Sequence, residues 1–538
     1  MNQYKTEYMK ITKKLMAGRL WGMILLLFSS TTLCACSGSS DETKDKGENE
    51  VPAENVTVKI TADKNTVLRN PLNGWVMYMG RSWDENFWTS EGYDAVYVPD
   101  IGKTVKVSDY ASTCYIRTSW SSLNPAEGEY VWDNPNARLT KLFQSALNRN
   151  MRLSFRIVVD GRDQGLNTPQ YVFDAGAEWY PDPNGNNGEN RKSPYPDDEV
   201  FQTKYAKFIE AFAKKFDDPD KVDFIDAYGL GKWGEAHSMV YKDYANKSKV
   251  FEWVTSLYTR CFKKVPLVIN YHRLVGANNT SGWGAVAPDT EQLMSSAINK
   301  GYSLRHDAFG MNGYYQDWEK QFAERWNYKR PIIMEGGWIT GGTHRYWIDP
   351  SGKYREGHPE DVRQGEFDAS AEAHVNMMDL RVGDETNSWF TKCFSLVQRF
   401  ITEGGYRLYP DMVSLPKEIS SGKQITIIHR WNNLGWGYCP TNIPQWNQRY
   451  KVAFALLDSK NEPKKIVVDQ QTDLSTWLKG KPTTYNFDLN IKGVTVGAYT
   501  WAVGLVDTTK DNAIGLQMAI KGDVLPSGWA KLMTVTVK

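Results

Sequence analysis

Short apolar runs alternate with amphipathic stretches from about residue 56 to residue 409. Apolar runs of this length are typical of buried strands, and the stretches between them have the period of helices. When strands and helices alternate in this way, the strands pair in parallel and the helices form the crossovers. Eight such units predict an α/β fold, a closed (β/α)8 barrel. The predicted strands lie near residues 74–79, 113–120, 153–159, 222–229, 266–271, 308–312, 331–335 and 375–380.

Helices are predicted between these strands, at residues 139–148, 201–216, 251–263 and 389–402. The longest insertion, about residues 160–200, follows the third strand and is rich in Pro, Gly and Asn. Active sites of such barrels form from the loops after the strands, so we expect this insertion to wall a cleft.

The pattern changes after Tyr409-Pro410. Runs at residues 424–430, 451–457, 485–489, 498–506 and 532–537 alternate apolar and polar residues, and turns rich in Gly, Asp, Asn and Lys separate them. Alternation with period two and no helical stretch predicts an antiparallel β-sandwich over residues 411–538.

The first 36 residues have the layout of a bacterial export signal. Lys13, Lys14 and Arg19 precede an apolar core, residues 21–28, that is too short to span a membrane. Leu33-Cys34-Ala35-Cys36 follows and resembles the lipobox of bacterial lipoproteins. The resemblance implies cleavage before Cys36 and acylation of its thiol. An ordinary secretory signal with an unrelated cysteine is the alternative.

Residues 37–55 are polar and lack a hydrophobic period, so we expect a disordered tether. The predicted domains are therefore a signal peptide (1–36), a tether (37–55), a barrel (56–410) and a sandwich (411–538). No later stretch is apolar and long enough to cross a bilayer, so the chain is expected to be anchored to the membrane without spanning it. We expect a location in the bacterial cell envelope, at the outer membrane, with the membrane face left open.

The charge balance argues against a nucleic-acid partner. The chain has 64 Lys and Arg against 63 Asp and Glu, a formal net charge of +1, and no basic cluster. Cys114, Cys261, Cys393 and Cys439 have no metal or redox spacing, so buried free thiols are expected, with a disulfide as the alternative in an exported protein.

Tryptophan is over-represented, with 21 residues in the chain. Such rings can simply fill a large core. However, several lie in loop patterns beside Gly, Asp or Asn, where flat rings stack on sugar faces. These are Trp83, Trp88, Trp179, Trp283 and Trp347.

Two glutamates close apolar runs in the barrel region. Glu235 follows the fourth predicted strand in Gly231-Lys232-Trp233-Gly234-Glu235, and Glu335 ends the seventh. Charged groups are rarely left near a core without partners or a task. In a closed barrel the two positions face each other across the mouth. Cleavage of a sugar acetal needs two such carboxylates, one to protonate the departing oxygen and one to attack the anomeric carbon or to activate water.

This layout resembles the clan-A retaining glycoside hydrolases, whose acid/base glutamate follows strand four and whose nucleophile ends strand seven. The run from Asp217 to Asp226, followed by Gly-Lys-Trp-Gly-Glu-Ala-His, also resembles bacterial secreted barrels with an added C-terminal β-domain. The resemblance implies that Glu235 is the general acid/base and Glu335 the nucleophile. The clan usually has Asn before the acid/base, to bind the sugar 2-hydroxyl, whereas this chain has Gly234.

Further residues near the predicted strand ends are candidates for substrate binding. Arg117 in the second strand could hold Glu335 ionised by charge pairing. Asn270 and Asn312 could replace the missing amide, and Tyr314 could donate to the nucleophile. The complete candidate set is Arg117, Trp233, His237, Asn270, His272, Asn312, Tyr314 and Trp338. Four of them also have a structural interpretation: Asn270 and Asn312 as amides that cap the backbone, Arg117 as an outward-facing arginine and Tyr314 as a cleft wall.

The sequence therefore predicts a lipid-anchored glycoside hydrolase acting on a β-linked glycan by double displacement, without a cofactor or a catalytic metal. A surface glycan-binding lipoprotein on a degenerate barrel is the alternative, because tryptophan richness, anchoring and the sandwich fit it equally well. A metal-dependent hydrolase, with Glu235, His237 and His272 around an ion, is disfavoured because the His-x-His of the first strand is absent. The sugar, its linkage and the oligomeric state are left open.

Overall fold

The computed structural model describes residues 52, 54–79, 85–160, 165–181, 191–278, 284–311, 313–341 and 351–538. Its strands are, in chain order, β1 (Asn55–Lys59), β2 (Thr61–Ala62), β3 (Gly74–Tyr78), β4 (Val96–Val98), β5 (Lys103–Val105), β6 (Ala111–Ser119), β7 (Arg152–Val158), β8 (Trp179–Tyr180), β9 (Ser193–Pro194), β10 (Val222–Asp226), β11 (Leu267–Asn270), β12 (Ser303–His306), β13 (Ile332–Met334), β14 (Met377–Asp379), β15 (Leu408–Pro416), β16 (Glu418–Ile419), β17 (Gln424–Asn433), β18 (Tyr450–Leu457), β19 (Pro463–Asp469), β20 (Thr483–Asn490), β21 (Gly497–Asp507), β22 (Ala513–Leu516), β23 (Ile520–Lys521) and β24 (Ala530–Val537).

The α-helices of the described residues are α1 (Phe87–Ser90), α2 (Trp120–Leu123), α3 (Arg138–Asn148), α4 (Gln170–Asp174), α5 (Glu199–Phe216), α6 (Lys247–Cys261), α7 (Thr290–Asn299), α8 (Asp317–Trp326), α9 (Pro359–Glu372), α10 (Asp384–Lys392) and α11 (Phe394–Glu403). The single helix predicted at 389–402 is two helices, because Cys393 leaves the helical region with φ −138°. None of the described helices has the length and hydropathy needed to span a bilayer.

Eight parallel strands close the predicted barrel, in the order β3-β6-β7-β10-β11-β12-β13-β14. The (β/α)8 prediction is thus confirmed, and all of the predicted strands except the sixth overlap those observed. The sixth is wrong. The observed strand lies at Ser303–His306, a segment that reads as polar because it contains Arg305 and His306, although both side chains are buried in the structure. The apolar run at 308–311 is a loop with left-handed turns at Ala308 and Gly310.

The C-terminal region forms two packed sheets. One has the order β1-β15-β17-β20 and is antiparallel. The other has the path β16-β24-β21-β18-β19, with β22 on β21, and is antiparallel except where β16 pairs with β24. Side chains from both sheets share one hydrophobic cluster, as expected of a β-sandwich. The sequence assigned residues from 56 onward to the barrel, whereas β1 pairs with β15 in this region.

The same hydrophobic cluster continues into the barrel interior, at Val76, Tyr115, Phe224 and Ile333. Hydrogen bonds also join the two parts where the last barrel strand begins. Asn376 donates to the carbonyl oxygens of Leu72 and Tyr438 at 3.1 and 2.8 Å, and the Trp436 indole donates to Val375 at 2.9 Å. Consistent with this shared core, Val51–Lys538 is one compact unit. The sandwich therefore covers the amino ends of the barrel strands and leaves their carboxyl ends free to form a site.

The four cysteines of the described residues are free, as expected for structural thiols. Cys114, Cys393 and Cys439 are buried, whereas Cys261 is half-buried. Burial raises the pKa of each of these thiols. Cys36 lies outside the described residues.

Candidate active site

Three carboxylates meet at the carboxyl end of the barrel. Glu335 directly follows β13, Asp307 directly follows β12, and Glu235 lies in the loop after β10. One carboxylate oxygen from each lies within 4.8 Å of the others. The structure thus brings together the two glutamates identified in the sequence. It adds Asp307, which the sequence did not indicate because the sixth strand was predicted to begin after it.

Three arginines hold Glu335, which is fully buried. Arg381, in the loop after β14, donates to Oε1 at 2.5 Å. Arg156 from β7 donates to Oε2 at 3.0 Å, and Arg305 from β12 forms an ion pair with the same oxygen. A carboxylate has about four lone-pair sites, so three guanidinium contacts leave one site open, on Oε1.

Arg156 also binds Glu235, at 2.9 Å from Nη1 to Oε1. The guanidinium therefore bridges the two glutamates, while its Nε donates to Asp226 at 2.6 Å. Burial alone would lower the pKa of Arg156, but Asp226, Tyr115 and Glu235 raise it well above the ordinary value. The arginine is therefore a fixed positive charge between two carboxylates.

The loop that carries Glu235 contains several residues with left-handed backbone. Trp233 has φ 58°, Gly234 has φ 75° and Ala236 has φ 60°. A Cβ at Gly234 would lie 3.3 Å from Cδ of Arg156, which is tighter than an ordinary contact. Glycine before Glu235 therefore provides space for the arginine that bridges the pair.

Two histidines pack against Glu235. His237 Nε2 lies 3.3 Å from Oε2 of Glu235. His272 Nε2 donates to the Glu235 carbonyl at 2.9 Å, and its Nδ1 accepts from the Leu274 amide at 3.0 Å. Only the neutral ring can fill both roles. The pKa of His272 is well below its ordinary value, mainly because the ring is buried and to a smaller extent because of the charge of His237.

Further buried charged residues pair with the arginines that hold Glu335. Asp226 accepts from Tyr115 at 3.0 Å and from Arg156, and Arg305 donates to Asp379 at 3.3 Å. Burial raises the pKa of Asp379, while Arg305 and Arg381 act in the opposite direction. Since buried charges are costly unless paired, this network fixes the arginines in place.

Among the described residues, the carboxylates of Glu235, Asp307 and Glu335 form the group that could hold a metal ion. His237 and His272 contact Glu235 but do not belong to this group, so the set of Glu235, His237 and His272 expected for a metal-dependent hydrolase does not form a metal-ligand cluster among the described residues. The carboxylate oxygens already accept from arginine side chains, and a divalent cation would face positive charge on several sides. The carboxylate oxygens therefore suit the hydroxyl groups of a ligand better than a cation.

The other candidate side chains are distributed around the mouth. Arg117 lies near Tyr78, with Nη1 3.4 Å from its hydroxyl. The expected pairing of Arg117 with Glu335 is wrong, since the arginines that pair with Glu335 among the described residues are Arg156, Arg305 and Arg381. Burial tends to lower the pKa of Arg117, but Tyr78 and Glu235 outweigh it, so the pKa is raised.

Asn270, at the end of β11, is buried, and its Oδ1 has no hydrogen-bond partner in the part of the chain that the structure describes. Tyr314 packs against the small cluster of Ala308, Met311, Ile339, Tyr354 and Val362, and its carbonyl accepts from Arg273. Asn312 lies outside the described residues. Arg273 is committed to Glu319 at 3.0 Å.

Two tryptophans border the site. Trp338 is 37% exposed and stacks on the Arg381 guanidinium at 5.0 Å. It lines a cavity of about 430 Å³ together with Glu91, Thr340 and Val382. Trp233 is half-buried under the Lys232 ammonium, at 4.1 Å. Trp338 thus lies beside an arginine that holds Glu335, and the Trp233 ring lies 6.4 Å from the ring of His237, which contacts Glu235.

Two of the five loop tryptophans expected to be sugar platforms lie within the described residues, and they differ in exposure. Trp88 is buried, with its indole donating to Ser145 at 2.9 Å, so that expectation is wrong for this ring. Trp179 is 47% exposed, near the Lys192 ammonium. Trp83, Trp283 and Trp347 lie outside the described residues.

The insertion after β7 is tied to the barrel through Asp160. This buried carboxylate accepts from the Tyr180 hydroxyl at 2.5 Å and from the Ser193 hydroxyl at 2.9 Å. The described part of the insertion therefore stands at the carboxyl end of the barrel, the side that carries Glu235.

Sequence reasoning missed Arg156, Arg305, Asp307 and Arg381. Arg156 stands inside an apolar strand run, which is a usable signal, because a buried arginine needs a buried anion. Arg305 and Asp307 were not identified because the sixth strand was predicted at 308–312, after both residues. Arg381 follows a predicted strand end and carried no signal beyond its position.

Comparison with solved structures gives remote likenesses. No family model and no curated protein matches the chain. A tri-modular endo-β-1,4-glucanase B from Bacillus halodurans is similar with 12% identity and a TM-score of 0.35, over 67% of this chain and 65% of that one.

A GH30 endoxylanase from Clostridium papyrosolvens gives 8% identity and a TM-score of 0.33, over 81% and 97% of the two chains. Endo-glycoceramidase II from Rhodococcus sp. gives 12% identity and a TM-score of 0.35, over 79% of this chain and 98% of that one. Likenesses this remote carry no argument about activity, which has to rest on the site itself.

Proposed function

We propose that this protein is a glycoside hydrolase that cleaves β-linked glycans by a retaining, double-displacement mechanism. One observation carries the proposal: carboxylate oxygens of Glu235 and Glu335 lie within 4.8 Å of each other at the carboxyl end of the barrel. Retaining enzymes hold their two carboxyl groups about 5–5.5 Å apart, whereas inverting enzymes leave about 6.5–9.5 Å for a water molecule. The short separation supports direct attack by one carboxylate.

Glu235 is the proposed general acid and base, and Glu335 the nucleophile. The Glu235 carboxyl gives its proton to the glycosidic oxygen while Oε1 of Glu335, which has the open lone-pair site, forms a bond to the anomeric carbon. The bond to the leaving group breaks, and a glycosyl ester remains on Glu335. Glu235 then takes a proton from water, the water oxygen attacks the anomeric carbon, and Glu335 leaves as a carboxylate.

The arginines have a role in both steps. Arg156, Arg305 and Arg381 stabilise the negative charge on Glu335 before attack and when it departs. Trp338 and Trp233 are the proposed stacking surfaces for the sugar. Arg117, His237, Asn270 and His272, together with Asn312 and Tyr314, stay candidates for contacts to the glycan.

One observation favours a second candidate, a glycan-binding protein on a degenerate barrel. Glu335 is fully buried and accepts from three guanidiniums, and such pairing weakens a carboxylate as a nucleophile. Both candidates share the proposed cell-envelope location, with a lipid anchor on Cys36 and a carbohydrate as the partner.

A screen of plant, algal and host glycans separates the two candidates. Wild type, Glu235→Gln and Glu335→Gln are assayed for reducing-end release and for binding. Hydrolysis by wild type, lost in both variants with binding retained, supports the hydrolase. Binding without hydrolysis in all three supports the alternative. If no glycan is cleaved or bound, the carbohydrate assignment fails.

A further inference from the structure

We propose that Asp307 is a substrate-contacting residue, accepting a hydrogen bond from a hydroxyl of the sugar held between Glu235 and Glu335. This inference rests on the proposed function and names a contact that the sequence did not identify. The sequence placed residue 307 before the sixth strand, whereas in the structure Asp307 directly follows β12 at the barrel mouth.

Asp307 is the accessible carboxylate of the three. Its side chain is 20% exposed, against 3% for Glu235 and 0% for Glu335. A carboxylate oxygen of Asp307 lies within 4.8 Å of an oxygen from each glutamate. A sugar bound against the two glutamates would therefore lie within reach of Asp307.

One oxygen of Asp307 is committed and the other is open. Oδ1 accepts from Nη2 of Arg381 at 3.0 Å, while Nη1 of the same guanidinium holds Glu335. Oδ2 has no hydrogen bond to any of the described residues. The shared arginine orients Asp307 relative to Glu335, and the open oxygen is left as an acceptor for a hydroxyl.

The surrounding charge keeps Asp307 ionised. Burial tends to raise its pKa, but Arg381, Arg156 and His306 outweigh burial and lower the pKa below the ordinary value. An ionised carboxylate accepts hydrogen bonds and does not donate them, so a hydroxyl is the matching partner.

The contact with Asp307 would also replace the hydrogen bond to the sugar that Gly234, which has no side chain, cannot make. The space there is filled by Arg156, as the 3.3 Å approach to a hypothetical Cβ indicates. A polar contact to the sugar beside the scissile bond must then come from another strand end, and Asp307 supplies one.

The test uses the full chain and the aryl β-glycoside that wild type cleaves best, together with monodeoxy analogues that each lack one hydroxyl. Hydrogen bonds to charged groups contribute enough that removal of the contacted hydroxyl should lower wild-type kcat/KM about ten- to a hundredfold. Asp307→Ala should lose the same factor on the parent substrate. On the one analogue that lacks the contacted hydroxyl, the variant should match wild type.

Asp307→Asn, which keeps the shape of the side chain, should show the same pattern with smaller losses and keeps the test valid if the alanine variant misfolds. Asp94→Asn is the matched control, because Asp94 pairs with Arg149 at 3.1 Å outside the site with 33% exposure, and it should behave as wild type. Equal loss on the parent and on every analogue, or no loss at all, overturns the inference. If wild type cleaves no glycoside, it is the proposed function that fails.

Discussion

Arg156 and Glu335 are joined at 3.0 Å through a nitrogen of the same guanidinium that holds Glu235 at 2.9 Å. The distance between the two glutamates therefore depends on one arginine from β7. The arginine neutralises part of their repulsion and fixes their directions. Its removal would leave three buried carboxylates, including Asp226, with less positive charge.

We accordingly predict that Arg156→Gln lowers the free energy of unfolding by about 3–5 kcal/mol, the usual effect of breaking a buried ion pair from one side. It should also lower kcat/KM about a hundredfold or more, since small misplacements of reacting groups have effects of that size. Urea denaturation and initial rates measure the two effects. Arg156→Lys should recover part of the stability.

Arg149→Gln is the control for this experiment, because Arg149 pairs with Asp94 at 29% exposure. A surface pair of this kind contributes about 1 kcal/mol or less. Equal stability losses in Arg149→Gln and Arg156→Gln would contradict a special role for the buried bridge.

The barrel and the position of Glu335 could be predicted from sequence, whereas the arginine network could not. Apolar runs report burial well, and a strand that ends at Met334 places Glu335 at the mouth. By contrast, Ser303–His306 is buried although its sequence is polar, because Arg305 forms ion pairs with Glu335, which follows β13, and with Asp379 in β14. Pairings between residues distant in the chain leave no periodic pattern in the sequence, so hydrophobicity favours the apolar loop at 308–311 over the polar strand before it.

Removing the Glu335 side chain should create an anion site. In Glu335→Gly, the guanidiniums of Arg156, Arg305 and Arg381 would surround the vacated space, and a small anion would be drawn to them. We predict that azide restores hydrolysis of an activated aryl glycoside and that the product is a glycosyl azide of inverted configuration. Product analysis by NMR measures this.

Glu335→Gln is the matched variant for the azide experiment, because its amide keeps the volume of the side chain and leaves no room for azide. It should show no rescue. Absence of rescue in Glu335→Gly, with the protein folded and binding glycan, would argue against Glu335 as the nucleophile.

Gly234 should resist substitution for two separable reasons. Its φ of 75° disfavours any side chain by about 1–2 kcal/mol. A Cβ would also crowd Arg156 at 3.3 Å. We predict that Gly234→Ala lowers both the free energy of unfolding and kcat/KM. Gly128→Ala isolates the first effect, since Gly128 has φ 79° and nothing within 4 Å of a Cβ, and it should leave kcat/KM unchanged.

The lowered pKa of His272 leads to a predicted pH dependence of the free energy of unfolding. Its pKa is lowered in the folded protein, so the unfolded chain binds the proton first as pH falls. Stability rises with pH wherever the unfolded state holds more protons, so the contribution of His272 is present above about pH 6.5 and is lost below it. We predict that His272→Gln, which does not titrate, shows a smaller loss of unfolding free energy between pH 7 and 5, by up to about 1.4 kcal/mol per pH unit.

The surface histidine His358, which is 45% exposed, is the control for this measurement. His358→Gln should keep the wild-type loss of stability below pH 6.5. Identical pH profiles for His272→Gln and wild type would mean that His272 does not stay neutral in the folded state.

The barrel is expected to depend on the C-terminal sheets for its stability. Val76, Tyr115 and Ile333 in the barrel interior belong to the same hydrophobic cluster as Trp446 and Tyr450 beyond it. A chain that ends at residue 410 would expose this cluster and would lose the pairing of β1 with β15. We predict that residues 51–410 alone bind a hydrophobic dye and lose near-UV circular dichroism, as a loosely packed state does. A soluble fragment with cooperative unfolding would show instead that the barrel closes without the sheets.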